Sequence, residues 1–184
     1  MTAPAFLTAA EKAIPQMPPV LAFGLRLAPA APAEHLLTHM ARSILAKHSG
    51  LLARLGPYRH CRFALSASDV PMSFCLDLGK DPLVITVHTN PPEADARITG
   101  KLAALIGLVH GVWDGDALFF SRDLTVEGDT SAALALRNAI DDAELDLGAE
   151  IAALTGPFSN PAARIISLAE SLTGVPFTRS GAIR

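Results

Sequence analysis

Among side chains able to hold a metal or move a proton, the six histidines, the two cysteines and the aspartates between positions 114 and 129 are the first to weigh in this sequence. His35 and His39 stand four apart, a spacing that puts both rings on one face of a helix, and two such nitrogens are half of a zinc site. A third ligand is missing nearby, and the glutamate of an HExxH helix is replaced by Leu36. The pair reads as a solvated helix flank, and no metal is expected. His48, His60, His88 and His110 are scattered near the ends of predicted elements. Cys61 and Cys75 belong to no CxxC or Cys/His cluster and read as small apolar side chains kept reduced. Asp114, Asp116, Asp123 and Asp129 fail the calcium-loop pattern, because Phe119 and Phe120 fall where oxygen ligands are required. They read as turn and cap residues. No serine sits in a GxSxG setting, and Gly111 to Gly115 lacks the Gly-Lys-Ser/Thr ending of a phosphate loop. Without a nucleophile and base, paired carboxylates or a metal cluster, the expectation is a protein that is not an enzyme and needs no cofactor.

The bulk composition narrows the alternatives. At 184 residues, half of them hydrophobic and 18% charged, the chain suits one core with apolar material to spare, some of which is free to line a cavity. A net charge of −3 without a basic stripe argues against nucleic acid, and one tyrosine and one tryptophan make no base-stacking platform. The N-terminus lacks a signal-peptide pattern, which gives cytoplasmic residence as the expectation. The apolar stretch from Pro18 to Ala33 contains Arg26 and is too short and proline-rich to span a bilayer.

Three segments follow from the pattern: an apolar, proline-rich arm over 1–33, a main domain over 34–155, and a C-terminal helix and tail over 156–184. The arm carries Val20, Leu21, Phe23, Leu25 and Leu27 with Arg26 as its only charge beyond Glu11 and Lys12. It either packs on the domain or touches a membrane surface, and packing leads because an interfacial helix needs a more cationic polar face. Apolar residues at three- and four-residue spacing predict a helix over 34–55, ended by Gly56-Pro57. The period then changes to two: Cys61, Phe63 and Leu65, followed after Ser68 to Pro71 by Met72, Phe74, Leu76 and Leu78, predict a hairpin with one apolar face. Leu83 to Val87 predicts a third strand, nearly continuous in apolar residues and so placed inside the sheet. Asp95 to Ile98 predicts a further strand, and Thr99 is expected to cap a helix over 101–110 that is apolar almost all round. Leu124 to Glu127 predicts the last strand, and Asp129 the N-cap of a helix over 131–142. An acidic helix after Asp141 and a final one over 162–172 complete the expectation.

The stretch Asp95 to Leu102, the apolar helix to Val109, and the run Asp116-Ala-Leu-Phe-Phe-Ser-Arg-Asp-Leu-Thr-Val-Glu-Gly-Asp129 together resemble the second half of the sterol-carrier-protein domain. The resemblance covers about 34–145 and is strongest over Leu124 to Asp129. Within that family, Phe119-Phe120-Ser-Arg122, Glu127 to Thr130 and Leu134 to Asn138 resemble bacterial accessory factors of oxygen-independent ubiquinone biosynthesis, as does the apolar arm over 15–33. The resemblance implies an α/β (α+β) fold, a mainly antiparallel five-stranded sheet covered by helices and enclosing an apolar tunnel. It implies a non-catalytic carrier of a polyprenyl phenol or phospholipid, with ubiquinone-pathway proteins as partners. The lipid-binding surface carried over comprises Phe74, Leu76, Leu102, Leu105, Ile106, Phe119, Phe120 and Val126. The alternative is a scaffold subunit whose apolar surface binds a partner protein, since the two uses look alike in sequence.

Overall fold

The computed structural model describes residues 14–110 and 122–143, with Leu118, Leu145, Glu150 and a few positions between 164 and 173. Expectations for Phe119 and Phe120, for most of the acidic helix and for the final helix and tail lie outside these residues. The chain opens with α1 (Pro19–Leu27) and α2 (Ala30–Lys47), followed by a single turn, α3 (Leu51–Arg54). The strands are β1 (Arg62–Ala67), β2 (Ser73–Asp77), β3 (Val84–His88), β4 (Ala96–Gly100) and β5 (Leu124–Gly128). Two further helices, α4 (Leu102–His110) and α5 (Thr130–Ala143), flank β5 in sequence.

The first helical stretch is not the single helix expected over 34–55. Helix α2 starts at Ala30 because Pro32 falls in its first turn, where a missing N–H costs nothing. It stops at His48, and Ser49-Gly50 separates it from α3.

The five strands form one sheet in the order β3-β2-β1-β4-β5. Strands β1, β2 and β3 make an antiparallel meander, β4 lies parallel to β1, and β5 closes the other side antiparallel to β4. The sheet is therefore mixed, with a single parallel pair. Strand β3 is an edge and not an interior strand as its apolar run suggested. Helix α2, which lies along it, takes the place of the missing neighbour.

Register places Phe63, Leu65, Phe74, Leu76, Ile85, Val87, Ala96, Ile98 and Val126 on one face. This inner face meets Met40 and Ile44 of α2, Leu51 and Leu55 around α3, Leu105 and Leu108 of α4, and Ala132, Ala133, Leu136 and Ala139 of α5 in the main core. Helix α4 shows why it is apolar almost all round. Ala104, Leu105 and Leu108 enter that core, while Ala103, Leu102 and Ile106 join a second cluster with Met17 and Val70.

Backbone demands explain two glycines. Gly128 ends β5 at φ 80°, a conformation that side chains resist, against the Asp95 carbonyl. At Gly100 a Cβ would come within 2.5 Å of Leu124 and 2.6 Å of the Asp123 carbonyl. Asp129 caps α5 as expected, its Oδ1 accepting from the N–H groups of Ser131 and Ala132 at 2.9 and 3.0 Å. Thr99 does not cap α4, because it lies within β4. Asp69 does so from the β1–β2 turn, its Oδ1 accepting from Leu102 N at 2.8 Å.

Candidate lipid-facing surface

The inner face is apolar in a row that crosses every strand. Val87, Phe74, Leu65, Ile98 and Val126 are successive neighbours from β3 to β5. At about 4.8 Å between strands the row is about 19 Å long. The row is closed only at β4, Ile98 being 2% exposed, whereas Val87, Phe74, Leu65 and Val126 are only partly buried. Leu65 and Val126 pack against the main core, but neither packed cluster includes Phe74, Ile85 or Val87. The β2–β3 end of the inner face is thus apolar and loosely covered.

The sequence-derived surface is distributed over this frame. Phe74 and Val126 lie in the row, and Leu76 lies in the adjacent one between Phe63 and Ile85. Leu105 is buried in the main core, and Leu102 and Ile106 are partly buried on the second cluster, which Ala22 and Leu25 of α1 also join. The tunnel implied by the resemblance does not appear as an enclosed apolar space among the described residues. A cleft of about 440 Å³ is lined by Arg62, Glu93, Ala94, Asp95 and Arg97, and it is polar. Its arginines are answered locally: Arg97 Nη1 meets Glu127 at 3.0 Å and Nη2 donates to the Pro92 carbonyl at 2.9 Å, while Asp77 lies 3.9 Å from Arg62.

Beside the β2–β3 end lies α2, along β3, while α1 rests Ala22 and Leu25 on the second cluster. Met17 is buried and its N–H donates to Asp69 Oδ2 at 2.9 Å, while Met40 and Ile44 are buried in the main core. No residue between these two anchors is buried. The arm is tied down at Met17 and held in part through Ala22 and Leu25, while its other apolar side chains are open: Val20 is 80%, Phe23 63% and Leu27 71% exposed, and Leu36 of α2 is 43% exposed.

Polar side chains, missed in the sequence, fasten α2 to the sheet. Glu34 Oε1 accepts from Val87 N at 2.8 Å. Thr38 Oγ1 accepts from Ile85 N at 3.0 Å and donates to Ile85 O at 3.2 Å. Arg42 Nε donates to Leu83 O at 2.8 Å. Four helical residues rise about 6 Å and two strand residues about 6.6 Å, so i, i+4, i+8 on the helix matches alternate residues of an edge strand. The four-residue repeat of Glu34, Thr38 and Arg42 was the available signal, although nothing local says which backbone it meets.

His35 and His39 are exposed, with His35 Nδ1 2.9 Å from the Ala31 carbonyl oxygen, and His88 Nε2 is 2.8 Å from Thr86 Oγ1. Among the described residues no three His, Cys, Asp or Glu side chains converge as a metal site would require. Cys75 is buried. Burial pushes the Cys61 thiol above its ordinary range, and the carboxylates of Asp95 and Asp129 push it further. That thiol is poorly suited to act as a nucleophile.

The fold and its apolar face define a class. The SCP-2 sterol transfer family model matches residues 38–141, more than half of the chain, and the protein belongs to that family of lipid-binding domains. Among solved structures it is similar to the UbiJ-SCP2 ubiquinone synthesis protein, at 20% identity over 70% of this chain and 97% of that one, with a TM-score of 0.46. It is also similar to sterol carrier protein 2 from Yarrowia lipolytica in its apo form, at 20% identity over 61% and 92% with a TM-score of 0.44. A possible sterol carrier protein from Thermus thermophilus matches at 18% identity over 60% and 85% with a TM-score of 0.45. A comparison with curated protein sequences gives no match.

Proposed function

We propose that the protein is a non-catalytic carrier that holds the apolar chain of a membrane lipid along the inner row of the sheet. The observation that carries this reading is the state of that row: continuous in apolar side chains, closed at Ile98, and only partly covered at Phe74 and Val87. Removing such surface from water is worth about 25 cal/mol per Å², which favours a prenyl or acyl chain over water there. The eight positions inferred from sequence, Phe119 and Phe120 included, are proposed as its neighbourhood. The ligand class is a polyprenyl phenol or a phospholipid, and the place proposed for the protein is oxygen-independent ubiquinone biosynthesis, together with proteins of that pathway.

Membrane contact is part of the same proposal. Helix α1 has no buried residue and presents Val20, Phe23 and Leu27 outward, with Arg26 in its last turn. No helix among the described residues is long and apolar enough to cross a membrane. Docking at the surface is the matching mode, with α1 lying in the headgroup region. The same exposed side chains also favour the second reading, a scaffold whose α1 binds a partner protein.

Native mass spectrometry of the purified protein, followed by organic extraction, separates the two. A stoichiometric polyprenyl or phospholipid species is the expected result. A ligand-free protein that stays empty after incubation with prenyl phenols and vesicles overturns the carrier reading in favour of the scaffold.

A further inference from the structure

From the fastening of α2 we infer that the segment between Met17 and Met40 is a gate, latched by Glu34 and Thr38 on the edge of β3, through which the lipid chain reaches the inner row. This rests on the carrier reading above and adds a route and a latch to it.

The inference follows from how unevenly the segment is attached. Both ends are fixed by burial, at Met17 and at Met40 with Ile44. Between them no residue is fully buried: Ala22 and Leu25 rest on the second cluster and Leu37 on the main core, each only in part, so hydrophobic cover holds the segment less firmly than its two ends. Directional bonds supply the rest, and among the described residues Glu34 to Val87 and Thr38 to Ile85 are the two to the sheet edge that lie on the free side of Met40. Arg42, on the anchored side, bonds to Leu83, which is buried. The ladder thus has a fixed foot at Arg42 and two releasable rungs.

Release is cheap for a physical reason. The N–H and C=O groups of Ile85 and Val87 point outward from an edge strand, so water replaces the lost partners on opening. A latch made by burying the same groups could not be undone so easily. The strand residues that carry the rungs, Ile85 and Val87, are the ones whose side chains stand on the inner face beside Leu76 and Phe74. Lifting the two rungs therefore uncovers the loosely packed end of the row. The break between α1 and α2 at Ala28-Pro29 gives the lifted end a joint next to the helix proposed to touch the membrane.

The test pairs amide exchange with lipid uptake on the full chain. Thr38→Val keeps the shape and removes both Ile85 bonds, Glu34→Leu removes the Val87 bond, and Thr38→Ser restores a hydroxyl. Uptake is followed by dequenching of a pyrene-labelled phosphatidylcholine supplied in phosphatidylcholine/phosphatidylglycerol vesicles. The expected result for Thr38→Val is roughly tenfold faster exchange at the Ile85 and Val87 amides, about 1.4 kcal/mol in opening, with faster uptake and with Phe63 and Ile98 amides unchanged. Thr38→Ser should return both readings to the parent values. A second arm replaces Cys61 with Ser and Cys75 with Ala, then joins Thr38→Cys to Ile85→Cys under oxidation. Uptake should fall when the bridge forms and recover on reduction.

Faster exchange with unchanged uptake overturns the gate, as does a bridged form that loads normally. So does exchange of Ile85 and Val87 only together with the core. If no form of the protein takes up the probe or any other lipid, the carrier reading fails, a result distinct from all of these.

Discussion

The two sides of the helix-covered sheet are held by different physics. On the β1–β4–β5 side, Phe63, Ala96 and Ile98 are at most 2% exposed and meet α5 through Ala132, Ala133, Leu136 and Ala139. Small residues on one helix face allow close approach, and packing alone fixes the geometry. On the β2–β3 side, Phe74, Ile85 and Val87 are only partly buried, and α2 is fastened by hydrogen bonds to a strand edge. The first side is a core that cannot change shape without losing stability. The second is partly covered apolar surface beside a hydrogen-bonded helix, the arrangement on which the proposed carrier role rests.

The contrast is sharpest for two phenylalanines on neighbouring strands. Phe63→Ala should cost about 3–5 kcal/mol in urea unfolding, the usual range for a fully buried aromatic. Phe74→Ala should cost about 1 kcal/mol and reduce lipid retention instead. Equal stability losses at the two positions would erase the distinction between the sides. Next in size, Asp129→Ala should cost about 1 kcal/mol by removing the cap of α5, with lipid retention unchanged because the cap belongs to the packed side. A large retention loss from that change would show that the sides are coupled.

Smaller still, Phe23→Ser should change stability by less than about 0.5 kcal/mol while weakening sedimentation with phosphatidylglycerol-containing vesicles. Unchanged sedimentation would remove α1 from the membrane proposal. The least effect is expected at Cys61, whose thiol resists ionisation in the folded protein. Its alkylation by iodoacetamide should stay slow at neutral pH and accelerate only above the ordinary thiol value of 9.0. The sign for stability is the same: the contribution is present below the unfolded-state value and is lost as the pH rises through the higher folded-state one. Fast alkylation of the native protein near pH 7 would contradict the burial assigned to it.

Much of the frame was legible because it is written in local periods. The alternation from Cys61 to Leu78 led to the hairpin and its inner face, and Gly128-Asp129 to the last turn and the α5 cap. What was not legible depends on distant partners. The apolar run of β3 looked interior because sequence cannot distinguish cover by two strands from cover by one strand and a helix. Asp69 looked like an ordinary turn residue, yet its two oxygens hold Leu102 and Met17, 33 and 52 positions away. The nearly all-apolar α4 gave no sign of its partners, and it serves two packed clusters at once. The surface residues Phe74, Leu76 and Val126 were placed on one sheet face by their period, but the uneven cover over that face depends on how α2 and α5 meet it.

The bonding of Glu34, Thr38 and Arg42 to β3 also bears on how the protein survives in a crowded solution. A bare strand edge invites another chain to add itself as a sixth strand, the usual start of aggregation. These three side chains occupy the groups at Leu83, Ile85 and Val87 that an intruding strand would need. Each opening of α2 exposes a sticky edge together with a sticky face, so the time spent open sets a rate of self-association as well as a rate of loading. A carrier built this way has reason to open briefly, and to do so where a lipid surface, and not a second protein molecule, is the nearest neighbour.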